Sequence, residues 1–179
     1  MENATHIDAQ QLSNTIGIEA GRELNEAMKR IEHCLRQLTD EQVWWRPSES
    51  QNSIGNLILH LCGNIRQWLI CGVGEIEDRR DRPAEFAERR VIPIADLMAV
   101  LRKSVAEATR SLANIPPADM LRVRRIQGFE ETALSAIFNS VPHFRGHTQE
   151  IIYRTRCLLG DKYQFAWTPS TAEEGAASR

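Results

Sequence analysis

The sequence predicts an all-α protein, a four-helix bundle with a long crossover between its second and third helices. Three observations carry that expectation. Four segments repeat apolar residues at three- and four-residue spacing, which places them on one face of a helix. A charge-rich stretch without such a stripe separates the second segment from the third. The one alternating stretch, Leu121 to Phe129, is too brief to build a sheet of independent stability.

The first helix is expected from about Gln11 to Leu38, with a stripe of Ile16, Ala20, Leu24, Ala27, Met28, Ile31, Leu35 and Leu38. His33 lies off that stripe and belongs in solvent or on a rim. Asp40 to Gln51 reads as a connection in which the adjacent Trp44 and Trp45 plug the end of the core, each indole N–H needing a partner. Ser53 or Asn52 can cap the second helix, whose stripe is Ile54, Leu57, Ile58, Leu61, Ile65, Trp68 and Leu69. Gly72-Val73-Gly74 stops it. His60 and Asn64 fall on the edge of this stripe, where a polar group can face a pocket without occupying the apolar seam.

Between Glu75 and Arg90 the charges alternate in sign and nearly cancel, the pattern of a solvated crossover. The alternative is that Arg79, Arg80 or Arg82 touches an anionic ligand at the bundle mouth. Pro93 suits the first turn of a third helix with the stripe Leu97, Leu101, Val105, Ala108 and Leu112, ended by Ile115-Pro116-Pro117. Gly128 reads as a turn residue in the short extended stretch that follows. The fourth helix is expected from about Thr132 to Leu159, with Phe138 in its core stripe, Pro142 bending or loosening it, and Gly160 at its end. Residues 1–169 form one domain on this reading. Phe165, Trp167 and Pro169 pack back, and the small polar residues 170–179 form a disordered tail.

At 179 residues the chain is long enough to bury a core, and 42% hydrophobic with 26% charged residues is an ordinary globular balance. A formal net charge of −2 argues against wholesale binding to nucleic acid or an anionic membrane. No segment is apolar for long enough to span a bilayer, and Met1 to Gln10 lacks the basic and apolar regions of a signal peptide. Cys34, Cys62, Cys71 and Cys157 are scattered on helices without a zinc or disulfide spacing, as expected of reduced buried thiols in a cytoplasmic protein.

The chemistry concentrates in Val141 to Ile152, where His143 and His147 stand one helical turn apart and project from the same side. On a helical wheel both lie about 80–120° to one side of their apolar centre, and His60 and Asn64 share that offset on theirs. The two helices can therefore turn matching edges toward one cleft. Imidazole is largely neutral near pH 7 and accepts Zn, Ni, Fe and Cu, and three protein ligands with an open position form a catalytic type of site. The HxxxH spacing alone is weak: such a pair is more often structural, and it lacks the Glu of a metalloprotease HExxH.

Ser53-Ile-Gly-Asn-Leu-Ile-Leu-His60-Leu-Cys-Gly-Asn64, followed much later by His143-Phe-Arg-Gly-His147-Thr-Gln-Glu-Ile151, resembles the DinB-like superfamily of metal-dependent bacterial four-helix bundles. The resemblance runs from the first helix to Gly160. It implies a single divalent ion (Zn, Ni or Fe) held by His60, His143 and His147, and a homodimer. Many relatives carry a Gly-Gln-Ile-like run after the third histidine, where this chain has Thr148-Gln149-Glu150-Ile151; Gln149 is a candidate supporting residue.

Some members of that superfamily are transferases or isomerases using a low-molecular-weight thiol. The resemblance therefore implies a small-molecule substrate and, as the leading activity, a thiol-dependent S-transferase. Arg79, Arg80, Arg82, Arg122, Arg124 and Arg125 are candidates to hold the carboxylates of the thiol. The alternatives are a metal-dependent hydrolase with Glu150 as base, which the wheel puts about 60° off the histidine pair, and a non-catalytic metal-stabilised ligand-binding or interaction bundle.

Overall fold

A computed structural model describes residues 8–166. The expectations for Trp167, Pro169 and the tail from Ser170 lie outside the described residues. Four long helices form the body: α1 (Ala9–Leu35), α3 (Ile54–Ile65), α5 (Ile94–Leu112) and α7 (Ala133–Leu159). Short helices occupy the connections: α2 (Asp40–Trp44), α4 (Arg82–Ala87) and α6 (Pro117–Leu121). The all-α bundle is as expected. Among the described residues no helix is long and apolar enough to cross a membrane.

Helix starts follow local chemistry. Asp8, Thr39, Ser53 and Thr132 each accept a bond from the backbone N–H three residues on, and the third residue of the helix returns the bond to the cap. Each such box satisfies two N–H groups that a helix leaves orphaned. The expected stripes of α3 and α5 are buried in full. In α1 the stripe is buried from Ala20 to Leu38, with Ile16 and Met28 packed at its margin.

The bundle is a square in which α1 and α3 sit on opposite corners, each packed against α5 and α7. Side-chain links give the directions. Ser13 Oγ donates to Ile115 O at 2.6 Å while Arg102 pairs with Glu32, so α1 and α5 run antiparallel. Ser140 Oγ donates to Asn64 Oδ1 at 2.8 Å while Arg154 Nη1 donates to Asn52 O, so α3 and α7 are also antiparallel. Arg145 pairs with Glu23 and the Gln164 N–H donates to Gln37, so α1 and α7 run parallel. Consecutive α3 and α5 therefore point the same way, and the chain between them must travel the length of the bundle.

Several expectations are corrected. The second helix does not continue as an α-helix; after Ile65 it passes into a π-helical segment, Arg66–Gly72. The wider turn adds a residue to the register, so Trp68, Leu69, Ile70 and Cys71 are buried in succession. A hairpin covers this segment: β1 (Arg124–Ile126) pairs antiparallel with β2 (Phe129–Glu131) through a two-residue turn with positive φ at both Gln127 and Gly128. Gln127 accepts from Trp68 Nε1 at 2.9 Å, and a Cβ at Gly72 would lie 2.6 Å from Ile126. Of the two tryptophans only Trp44 plugs the core, donating to Ile92 O at 2.9 Å; Trp45 is 54% exposed. Phe138 is 69% exposed rather than core. α7 runs unbroken through Pro142, which stands on its exposed face. Cys157 is exposed, whereas the other three thiols are buried and free, with Cys62 pushed up to about 12 by burial.

Candidate metal centre

His60 projects from the middle of α3, and His143 and His147 from successive turns of α7. The antiparallel packing fixed by Asn64–Ser140 and Asn52–Arg154 brings the three together. Each offers a ring nitrogen, and the three nitrogens lie within 4.8 Å of one another. The rings meet edge to face, with centroids 4.6 to 5.3 Å apart. His60 is buried and the α7 pair partly so. The triad predicted from the helical wheel is therefore assembled.

Each helix supplies an imidazole whose inner nitrogen is turned toward the others by what holds its Nδ1. His147 Nδ1 bonds Glu150 Oε2 at 2.9 Å, and Glu150 Oε1 accepts from Arg154 Nε at 3.0 Å. A carboxylate only accepts, so Nδ1 carries the proton and Nε2 keeps its lone pair for a ligand. His60 Nδ1 lies 3.1 Å from Glu85 Oε2 and 3.1 Å from Arg80 Nη2. Arg80 also holds both oxygens of Glu85, at 2.7 and 2.8 Å.

His60 thus has two tautomers with partners. When Nδ1 accepts from Arg80, Nε2–H can donate to His143 Nε2, 3.0 Å away. When Nδ1–H donates to Glu85, Nε2 faces the triad as a bare lone pair. The second form is the one a cation selects. His143 is lowered to about 4, by burial first and then by the neighbouring His147 and His60, Arg80 and Arg82, so it is neutral at pH 7 and open to a ligand. Three imidazoles with two carboxylates behind them fit a divalent transition metal.

The crossover supplies what sequence reasoning missed. Arg80 and Glu85 are not a solvated charge pair: their side chains are 3% and 10% exposed. Burial alone would push the Glu85 carboxyl up, but the bonds from Arg80 and His60 outweigh it and hold it below the usual carboxylate range. Gly63 on α3 admits the pair, since a Cβ there would overlap Glu85 Oε1 and stand 2.8 Å from Arg80 Nε. Asn56 Nδ2 pins α4 by donating to Glu85 O at 2.9 Å and Glu88 O at 3.1 Å. Phe86 packs on His60 with centroids 4.8 Å apart, and Arg82 stands over Phe86 at 5.0 Å. The available signal was Gly63 three residues after His60, a gap on the same face as a polar side chain.

The other singled-out residues fall elsewhere. Gln149 is exposed and lines a cleft with Arg30, His33 and Tyr163, away from Glu150's bond to the triad. His33 sits on the rim as expected, its Nε2 2.6 Å from Gln164 O. Asn64 ties α3 to α7 beside the triad. A cleft of about 340 Å³, lined by Trp45, Ile54, Tyr153 and Leu158, has the His147 partner Glu150 and its neighbour Arg154 in its wall.

A comparison with curated proteins gives no match. Among solved structures, the chain is similar to one described as the crystal structure of the conserved protein of locus from Enterococcus faecalis, with 19% identity and a TM-score of 0.66. That match covers 79% of this chain and 95% of the other, and it supports the bundle fold. The family model described as "Protein of unknown function (DUF1572)" matches residues 11–171, and the chain belongs to that family.

Proposed function

We propose that the protein is a DinB-like metalloprotein in which His60, His143 and His147 hold one divalent transition metal, and that it acts as an S-transferase on a small molecule with a low-molecular-weight thiol. The observation that carries the reading is the convergence of three imidazole nitrogens, two of them backed by carboxylate–arginine pairs. When bound, the metal would supply a position for the thiol sulfur and lower its pKa. The chain's own groups orient the ligands: Glu150 fixes the His147 tautomer, Glu85 stabilises the metal-ready tautomer of His60, and Phe86 shields that ring from water.

Glu150 is a poor general base on this geometry, because both its oxygens are engaged by His147 and Arg154. The transferase reading is therefore preferred to the hydrolase. Pairing of two copies would cover the apolar groove of about 520 Å³ between α1 and α7, where Phe138 is exposed. The buried free thiols fit a reducing cytoplasmic setting.

The test is elemental analysis of untagged wild type beside His60→Ala and His143→Ala after metal-free dialysis. About one equivalent in wild type and none in either variant supports the site. Metal-dependent consumption of a thiol with monochlorobimane then supports the activity. Equal metal in all three proteins overturns the triad, and a metal-raised melting temperature without turnover favours the non-catalytic bundle.

A further inference from the structure

Six arginines were candidates to hold an anionic group, and the structure sorts them. Arg79 pairs with Glu77, Arg80 is buried on Glu85, and Arg122 pairs with Glu75 and Asp119. Arg124 is spent on the carbonyls of Val73 and Asp119, and Arg125 stands on the hairpin opposite Glu130. The remaining crossover arginines, Arg89 and Arg90, pair with Glu49 and Glu88. Arg82 alone in the crossover has no carboxylate partner among the described residues.

Arg82 is exposed, but its guanidinium is held against a neighbouring ring. The guanidinium lies over the Phe86 ring, and Phe86 lies against His60. α4, which carries both, is pinned to α3 by Asn56 and by the buried Arg80–Glu85 pair. The charges around the triad leave an excess of one sign. Three imidazoles bring no negative charge, Glu85 is matched by Arg80, and Glu150 by Arg154. A divalent ion would therefore keep its full charge, with Arg82 as a second unmatched cation linked to His60 through the Phe86 ring.

We propose that Arg82 is an anion-binding position of the site, so that its ligand carries a carboxylate set off from the atom that binds the metal. The proposal rests on the metal-centre reading above and narrows the ligand to small acidic molecules. Phe86 keeps the guanidinium in place by stacking on it, which lessens the ordering cost when a carboxylate arrives.

The test uses cobalt-loaded protein and two thiols of similar size, 3-mercaptopropionate and 2-mercaptoethanol, with binding read from the absorption of the sulfur–cobalt bond. Wild type should prefer the acidic thiol by about tenfold, the effect of one charge-assisted pair. Arg82→Ala should abolish that preference and leave 2-mercaptoethanol binding unchanged, whereas Arg79→Ala, an exposed and paired control, should alter neither. A preference that survives in Arg82→Ala, or its absence from wild type, overturns the proposal. If wild type binds cobalt but neither thiol, the thiol reading fails by itself. Calorimetric titration with malonate against acetate then decides the Arg82 position: loss of malonate preference in Arg82→Ala supports it, and equal preference sinks it. Failure to load cobalt at all is a failure of the triad, seen separately by metal analysis. In that outcome malonate binding to the metal-free protein is compared between wild type and Arg82→Ala, and equal binding overturns the proposal.

Discussion

Two carboxylate–arginine pairs stand behind the same three histidines, and they are built in opposite ways. Glu150 and Arg154 share α7 with His147, three and seven residues further on, so helical geometry alone delivers them. Their side chains are 35% and 22% exposed. Glu85 and Arg80 reach His60 across 25 and 20 residues of chain, are nearly buried, and depend on Gly63 for space. Arg154 bonds Glu150 and Asn52 O but not the imidazole, so His147 is preset for a ligand. Arg80 touches both Glu85 and His60, so the His60 tautomer depends on what the site holds. A helix can preset a ligand by itself, whereas a responsive one needs partners from a second element.

The largest expected difference between the two arms is in stability. Arg80→Leu strands the Glu85 charge in a nearly dry site and should cost about 3–5 kcal/mol in urea unfolding. Arg154→Leu, at a more solvated pair but with the bond to Asn52 O also lost, should cost about 1–2 kcal/mol. Equal losses would mean that the crossover pair is as well hydrated as the helical one.

Metal linkage sharpens the contrast next. Zinc at a hundred times its wild-type dissociation constant should add about 2.7 kcal/mol to unfolding stability. If Glu85→Gln weakens binding about 100-fold and Glu150→Gln about tenfold, the same zinc concentration adds about 0.4 and about 1.4 kcal/mol respectively. A reversed order would place the stronger arm on α7. Gly63→Ala should mimic Glu85→Gln, because the added methyl displaces that carboxylate while leaving His147 and Glu150 in contact. The smallest effect is expected at the far end of the crossover. Trp44→Phe removes the bond to Ile92 O and should cost about 1 kcal/mol with little change in zinc affinity.

The contrast also explains what could be read from the sequence. The stripes of α3 and α5, the starts of α3 near Ser53 and of α7 near Thr132, and the shared offset of His60, His143 and His147 follow from local periodicity and residue type. Glu150 was visible for the same reason, although its role as a His147 partner emerges only with the ring orientation. Arg80 and Glu85 were hidden inside a charge-balanced run, where alternating signs look alike whether the pairs are solvated or buried. The π-helical turn after Ile65 escaped because its stabilising partner, Gln127 on the hairpin, is some sixty positions away. Phe138 was misplaced because a stripe records apolarity and not which neighbour faces it.

Apart from the Glu85 side chain, α4 buries nothing in the body of the protein and meets it mainly through polar bonds and one ring contact. The folding of the bundle therefore places few demands on residues 82–87 beyond the pair that reaches Gly63. Evolution, or an engineer, can exchange the outer positions of this short segment to retune what approaches the centre while the scaffold beneath is inherited intact.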